Sequence, residues 1–121
     1  MKIRIKGNSI RYRLTKTEVE VFSREGYYSE ETTFNGNTLV YALKAIYGVN
    51  NLMADFENNK IIMCLPIADC KSWAGNNQVG FKYEMPLENG EILSLLLEKD
   101  FVCLDERGED ESDNYPNPKA M

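Results

Sequence analysis

The first thirteen residues of the sequence carry five basic side chains and no acidic one. An arginine guanidinium grips a phosphate or a carboxylate through two parallel hydrogen bonds, and a lysine ammonium adds positive charge. Such a group of cations predicts a site for an anion. We call this group the basic strip, and it consists of Lys2, Arg4, Lys6, Arg11 and Arg13.

Two other interpretations of the basic strip involve no ligand. The acidic C-terminal part of the chain could fold over the strip and neutralise it, or the strip could be a solvated face with counter-charges among its cations. Charge runs serve these purposes more often than they bind ligands. The sequence alone leaves these alternatives open.

A second candidate site is the charged triplet Glu98, Lys99 and Asp100, which separates two apolar segments. If these residues line a pocket, Lys99 or Asp100 could act as an acid or a base. More often such a triplet is an exposed turn or a charged edge strand that prevents aggregation. Cys103 lies nearby, but the surrounding acidic residues oppose the thiolate that a nucleophile needs.

The sequence contains no histidine. This excludes catalytic triads and Cys–His pairs, together with metal sites built on imidazole. Proton transfer would have to come from Asp, Glu, Lys, Tyr or Cys side chains. The carboxylates of residues 105–113 do not have the spacing of a calcium-binding loop, and no glycine-rich phosphate loop is present. We therefore expect no metal and no cofactor.

Charge is distributed unevenly along the chain. The net charge is −5; residues 1–60 carry nine basic and seven acidic side chains, whereas residues 61–121 carry five and twelve. Nucleic-acid binding depends mainly on neutralising phosphates, so an acidic chain argues against nucleic acid as a partner. An acidic protein partner or a small anion could still bind the basic strip, and the sequence leaves homo-oligomerisation open.

The compartment expected from the sequence is the cytoplasm. Charged residues interrupt the first six positions, so the N-terminus lacks the apolar stretch of a signal peptide. No segment approaches the roughly 18 consecutive apolar residues of a membrane-spanning helix, so no membrane association is expected. The three cysteines are odd in number and form no C-x-x-C motif, which indicates a reducing environment.

Alternating residues predict strands at the N-terminus. Ile3 and Ile5 lie on one face of a first strand, and after Gly7 the apolar residues follow the opposite parity. This pattern fits either a tight hairpin at Gly7 and Asn8 or one long strand with a bulge. In the hairpin, all five residues of the basic strip share one face. Like charges opposed in this way destabilise strand pairing, so an anionic group is expected nearby.

Two helices are predicted from their terminal residues. Thr15 and Glu18 form the two ends of a capping box, which predicts a helix over residues 16–25. Pro66 predicts the end of a strand and the start of a second, short helix through Trp73.

Three further hairpins are predicted from asparagine-containing turns. These turns lie at residues 35–36, 58–59 and 89–90, each between two segments rich in apolar or β-branched residues. Residues 38–47 also fit a helix, although a strand is preferred because the turn at 35–36 precedes them.

The predicted fold is α+β, in which a mainly antiparallel, meandering sheet of about seven to nine strands is accompanied by two short helices. The sheet could curl into a barrel or form a sandwich. We expect a single domain over residues 1–121, and no internal repeat is visible in the sequence. Residues 105–121 form an acidic, proline-containing tail, which we expect to pack on the domain through Tyr115.

Four segments resemble a known family. They are NSIRYRL at residues 8–14, VGF at 79–81, EKDFVCL at 98–104 and SDNYPNP at 112–118. The chain resembles, over nearly its whole length, a family of small bacterial proteins known only as a domain of unknown function. The resemblance implies a bacterial protein that consists of this one domain. It implies no activity.

Two hypotheses for the function remain. The first is a non-catalytic binding or interaction domain that uses the basic strip against an acidic partner or a small anion. The second is a histidine-free enzyme for a phosphorylated or carboxylated small molecule, with Arg11 and Arg13 as binding residues and a carboxylate as base. A deep pocket where these groups converge would favour the enzyme. A convex or covered basic face would favour the binding domain.

Overall fold

The structure of the protein, a computed structural model, describes residues 1–101 and 112–116. The described residues form eight strands and two helices. In chain order these are β1 (Lys2–Ile5), β2 (Ser9–Leu14), α1 (Lys16–Glu25), β3 (Tyr27–Phe34), β4 (Asn37–Ile46), β5 (Met53–Glu57), β6 (Lys60–Pro66), α2 (Ile67–Trp73), β7 (Gly80–Pro86) and β8 (Ile92–Lys99).

The strands form two four-stranded sheets, which do not close into a barrel within the described residues. The first sheet has the order β1-β2-β8-β7 and the second the order β3-β4-β6-β5. Each sheet combines two antiparallel hairpins, and the two inner strands of each sheet pair in parallel. The predicted α+β class, hairpins and number of strands are confirmed.

The prediction of a mainly antiparallel meander is only partly right. A meander requires consecutive hairpins to pair with each other. Here α1 carries the chain from the first sheet to the second, and α2 carries it back. The first hairpin therefore pairs with the fourth, and the second pairs with the third, which makes β2–β8 and β4–β6 parallel. The turn residues specify each hairpin but not its partner.

The architecture contains a repeated arrangement of hairpin, helix and hairpin that the sequence does not show. Strands β1 and β2, helix α1 and strands β3 and β4 form one half, and β5 and β6, α2, β7 and β8 form the other. If each strand is replaced by its counterpart in the other half (β1 by β5, β2 by β6, β8 by β4 and β7 by β3), the strand order of the first sheet becomes that of the second. The absence of a visible repeat was therefore misleading, because hairpin and helix patterns can be kept while residue identities change.

The turns that close the hairpins explain their positions. Asn58 and Asn59 both have positive φ, 51° and 62°, as a two-residue turn of the type favoured in hairpins requires. This turn pairs Glu57 with Lys60, as a hairpin turn at residues 58–59 predicts. At the N-terminus, the hairpin rather than the bulged strand is observed, because β1 and β2 pair over four residue pairs.

The two helices begin and end where their sequences predict. The Thr15 side chain accepts from the Glu18 N–H, the Glu18 side chain accepts from the Thr15 N–H, and Gly26 ends α1 in the left-handed conformation. Helix α2 follows Pro66 and ends at Trp73. In the described parts of the chain, neither helix has the length and apolar character needed to cross a membrane.

The core lies between the two sheets and beneath the helices. Its largest fully buried residues come from both sheets and both helices, namely Tyr12, Leu14, Phe22, Leu43, Met63, Leu65, Trp73, Leu95 and Leu97. The Trp73 ring packs edge-on against Phe81 at 5.3 Å, and its Nε1 donates to Gln78 O at 2.9 Å. The only tryptophan is thus a core residue that anchors the loop after α2.

Candidate functional site

The basic strip lies on the outer face of the first sheet. The register of β1 and β2 pairs Lys2 with Arg13 and Arg4 with Arg11. The alternate residues, such as Tyr12 and Leu14, are fully buried on the core side. The predicted juxtaposition of cations across a hairpin is therefore observed.

The anionic partner expected for these cations comes from β8. Because β8 pairs in parallel with β2, Glu98 lies opposite Arg13. Arg13 Nε donates to Glu98 Oε1 at 2.6 Å, and Arg11 Nε lies 3.8 Å from the same oxygen. One carboxylate thus serves two guanidinium groups, and the two candidate sites of the sequence meet on this face.

Asp100 is the second carboxylate at the basic strip. Its Oδ2 lies 3.1 Å from Lys2 Nζ, and the residue is only 2% exposed, whereas the Lys2 side chain is 50% exposed. The backbone of Asp100 is also fixed, since its N–H donates to Leu14 O and its carbonyl accepts from Tyr115 N–H. The half-exposed Lys2 thus supplies a counter-ion to a buried carboxylate and links the residue after β8 to β1.

The remaining positive charge surrounds a small depression of about 170 Å³. We call it the cationic depression, and its lining residues are Arg4, Lys6, Ser9, Arg11 and Leu96. Within residues 1–101 and 112–116, no carboxylate forms an ion pair with Arg4 or Lys6. Burial, followed by the nearby Arg13, lowers the pKa of Arg11, and Glu98 only partly opposes this. Among the residues that the structure describes, positive charge is therefore in excess at this point of the sheet.

Lys99 lies on the opposite side of β8 from its two neighbours in the triplet. It is 4% exposed, and its Nζ donates to Asn76 O at 2.8 Å. Burial lowers the pKa of Lys99. The triplet therefore does not line one pocket: Glu98 and Asp100 belong to the basic strip, and Lys99 belongs to the core side.

Residues 112–116 contact the domain next to these sites. Lys16 N–H donates to Asp113 O, and the hydroxyl of Thr17 donates to Asp113 Oδ1 at 2.9 Å, so Asp113 adds an acceptor at the start of α1. The Tyr115 ring packs on Phe101 at 5.7 Å. Residues 102–111 and 117–121, including Cys103, lie outside the described residues, so covering of the basic strip by the acidic tail stays a prediction.

Sequence reasoning missed the environment of the chain's amino group. The Met1 ammonium forms ion pairs with Glu18 and Glu30, and Tyr28 OH donates to Glu18 Oε2 at 3.2 Å. Glu18 therefore serves the capping box and the N-terminus at the same time. Its place in the capping box was visible in the sequence, but its contacts with Met1 and Tyr28 depend on how the sheets meet.

A cavity of about 610 Å³ between the two sheets was also missed. Its described lining is apolar except for Asp55, and it includes Ile10, Leu39, Ile61 and Leu93. The signal available in the sequence was the set of alternating apolar residues on either side of the turn at residues 58–59, which includes Ile61. The cavity offers apolar surface with one carboxylate and resembles neither predicted site.

The two free cysteines in the described residues have the properties of packing residues. Cys70 is buried and its Sγ donates to Phe22 O at 3.3 Å, and Cys64 is half-buried. Burial raises the pKa of both thiols, which keeps them protonated and unreactive.

Comparison with known proteins gives a family but no function. Neither the curated proteins nor the solved structures contain a match to this chain. A family model described as "Family of unknown function (DUF7009)" matches residues 1–119. The resemblance inferred from the four sequence segments is therefore confirmed, and the chain belongs to this family of unknown function.

Proposed function

We propose that this chain is a non-catalytic binding domain whose cationic depression takes a phosphate or carboxylate group from an acidic protein partner or a small anion. The observation that carries the proposal is the excess of positive charge, among the described residues, that Arg4, Lys6 and Arg11 form around a depression. The depression lies next to the ion pair of Arg13 and Glu98. Like charges held together on a sheet face raise the free energy of the unliganded protein, and a bound anion lowers it.

Glu98 neutralises Arg13 fully and Arg11 only in part. Its short hydrogen bond holds Arg13, whereas its distance of 3.8 Å to Arg11 Nε leaves that guanidinium available to turn towards a ligand. Ser9 adds a hydroxyl group at the rim of the depression. Two arginines, a lysine and a hydroxyl group around one depression form a donor set suited to a tetrahedral or planar oxyanion.

The shape of the site favours binding over catalysis. The enzyme hypothesis requires Arg11, Arg13 and a carboxylate base to converge in a deep pocket. Glu98 does converge with both arginines, but it is their counter-ion on the outer face of a sheet. Its carboxylate oxygen is already engaged by Arg13, and the depression beside it is small, about 170 Å³, not a deep pocket.

Calorimetric titration of the full chain at low salt tests the proposal. The panel contains inorganic phosphate, citrate and a polyglutamate peptide, so that a small anion and an acidic chain are compared directly. We expect at least one of them to bind, and Arg4→Gln or Arg11→Gln to weaken its binding by about tenfold or more, as loss of a charged hydrogen bond would. Lys44→Gln is the matched control, since it removes one exposed positive charge from the second sheet.

Two results would contradict the proposal. One is the absence of heat for every anion with the unmodified chain. The other is equal affinity in Arg11→Gln and Lys44→Gln, which would show that any binding follows net charge and not this depression.

A further inference from the structure

Lys99 is a buried cation that the proposed anion site does not use. It is the last residue of β8, and its side chain lies among aromatic rings on the core side of the first sheet. Its Nζ is 5.0 Å from the centroid of the Tyr115 ring and 5.9 Å from that of Trp73. These ring faces stabilise a cation, but more weakly than a carboxylate at hydrogen-bond distance does.

The ammonium of Lys99 is incompletely satisfied by the described part of the protein. It has three donor hydrogens, and the hydrogen bond found for it goes to one backbone carbonyl, Asn76 O. No described carboxylate forms an ion pair with it. A buried charge without a counter-ion is costly, and the lowered pKa of Lys99 has the same origin in burial.

An open cavity of about 270 Å³ lies beside the Lys99 side chain. Its other described lining residues are Asn76, Asn77, Val79, Phe101, Tyr115 and Pro116. The described lining therefore combines four apolar or aromatic residues with two asparagines and a single positive charge. The wall formed by Tyr115 is held in place by a parallel bridge to Phe101 and by the hydrogen bond from Tyr115 N–H to Asp100 O.

We propose that this cavity is a binding site for a small organic monocarboxylate with a flat apolar body. The carboxylate accepts hydrogen bonds from Lys99 Nζ, and the body lies against Phe101, Val79 and Pro116. A single cation in apolar surroundings suits one negative charge better than a phosphate dianion, which requires several donors. The site is independent of the cationic depression, because Lys99 and Glu98 project from opposite faces of β8.

Titration of the full chain with benzoate, followed by tryptophan fluorescence, tests this site. Trp73 is the only tryptophan in the sequence, and its ring centroid is 5.9 Å from Lys99 Nζ, so its emission should respond when the environment of this ammonium changes. We expect a saturable change with benzoate and none with inorganic phosphate or the neutral amide benzamide. Lys99→Met should weaken benzoate binding by about tenfold or more, since it removes a charged hydrogen bond. Lys71→Met is the control, because Lys71 is an exposed lysine on α2.

A second variant keeps the test independent of any effect of Lys99→Met on folding. Val79 is 47% exposed at the cavity, so Val79→Phe can fill the cavity without disturbing the core. It should abolish the benzoate response while Lys99 remains in place. Backbone amide chemical shifts of residues 76–79 and 115 should move with benzoate in the unmodified chain. The proposal is overturned if benzoate gives no response, if benzamide binds equally well, or if both variants bind benzoate as the unmodified chain does.

Discussion

At the scale of single residues, Glu98 determines how much positive charge the basic strip presents. It accepts a 2.6 Å hydrogen bond from Arg13 and lies 3.8 Å from Arg11, and both guanidinium groups are partly exposed. If its charge were removed, Arg11 and Arg13, which are two positions apart on one face of β2, would have no counter-ion among the described residues. The residue is therefore both a stabilising group and a competitor of the proposed ligand.

Glu98→Gln should lower the free energy of unfolding by about 1 kcal/mol at low salt, since the pairs are partly solvent-screened. High salt should reduce this difference, because counter-ions screen the unpaired arginines. The same substitution should strengthen phosphate binding in the calorimetric titration. Urea denaturation at two salt concentrations measures the first effect, with Glu91→Gln as an exposed control. Weaker phosphate binding in Glu98→Gln would contradict the assigned role.

Glu18 links stability to pH. Burial alone would raise its pKa, but hydrogen bonds from the Met1 ammonium, from Thr15 N–H and from the Tyr28 hydroxyl lower it overall from the ordinary value of 4.5. The unfolded chain therefore binds the proton more tightly than the folded one. The Glu18 carboxylate therefore makes its full contribution to stability above pH 4.5, the pKa of the unfolded chain. This contribution is lost as the pH falls through the lower pKa of the folded state.

Glu18→Gln should destabilise the protein by about 1 kcal/mol at pH 7, because the amide oxygen can still accept from Thr15 N–H but the charge that pairs with the Met1 ammonium is lost. It should also flatten the fall in stability below pH 4.5, because the titrating group is gone. Urea denaturation between pH 3 and 7 compares this variant with Glu20→Gln, an exposed position on the same helix. Parallel pH profiles for Glu18→Gln and the unmodified chain would show that Glu18 does not titrate as inferred.

At the scale of elements, the pairing of β7 with β8 depends on one close backbone approach. A Cβ atom added to Gly80 would lie 2.3 Å from Leu97 O and 2.9 Å from Glu98 Cα, which are backbone atoms that cannot turn away. Any side chain at this position must displace β8, and β8 carries both Glu98 and Lys99. Gly80 therefore allows the close pairing that fixes the position of β8, the strand that carries residues of both proposed sites.

Gly80→Ala should destabilise the protein by about 1–3 kcal/mol, the usual range for overpacking in a close contact. Gly75→Ala is the matched control, because its added Cβ would meet Ser72 O at an ordinary distance of 3.9 Å. Thermal denaturation compares the two variants. Equal melting temperatures would mean that β7 and β8 can separate slightly at no cost.

The elements were predictable from the sequence to the extent that their determinants are local. The capping box at Thr15 and Glu18 and the turn at residues 58–59 each depend on residues that are close in sequence, and both predictions are confirmed. The partner of Arg13 was not predictable, because Glu98 is 85 positions away and reaches it only through the parallel pairing of β2 and β8. Local patterns contain no information on which hairpins associate.

At the scale of the whole molecule, neither half can complete a sheet alone. Each half supplies one hairpin to the first sheet and one to the second, and the inner parallel pairs join β2 to β8 and β4 to β6. The helices also pack against each other across the boundary between the halves. A separated half would therefore expose two apolar sheet faces and two unpaired strand edges.

The connection between the two halves is a suitable place to divide the chain into two fragments. It runs through residues 47–52, where Tyr47 is 78% exposed and Gly48 has a φ of 79°. We expect fragments 1–49 and 50–121 to be unfolded separately and to regain cooperative melting when mixed, because all their missing contacts lie in the other fragment. Circular dichroism of each fragment and of the mixture measures this. A cooperative transition in fragment 1–49 alone would contradict this, because it would show that a hairpin–helix–hairpin half folds independently. The parallel pairs β2–β8 and β4–β6 would then join two folded units and would not be needed to form the core.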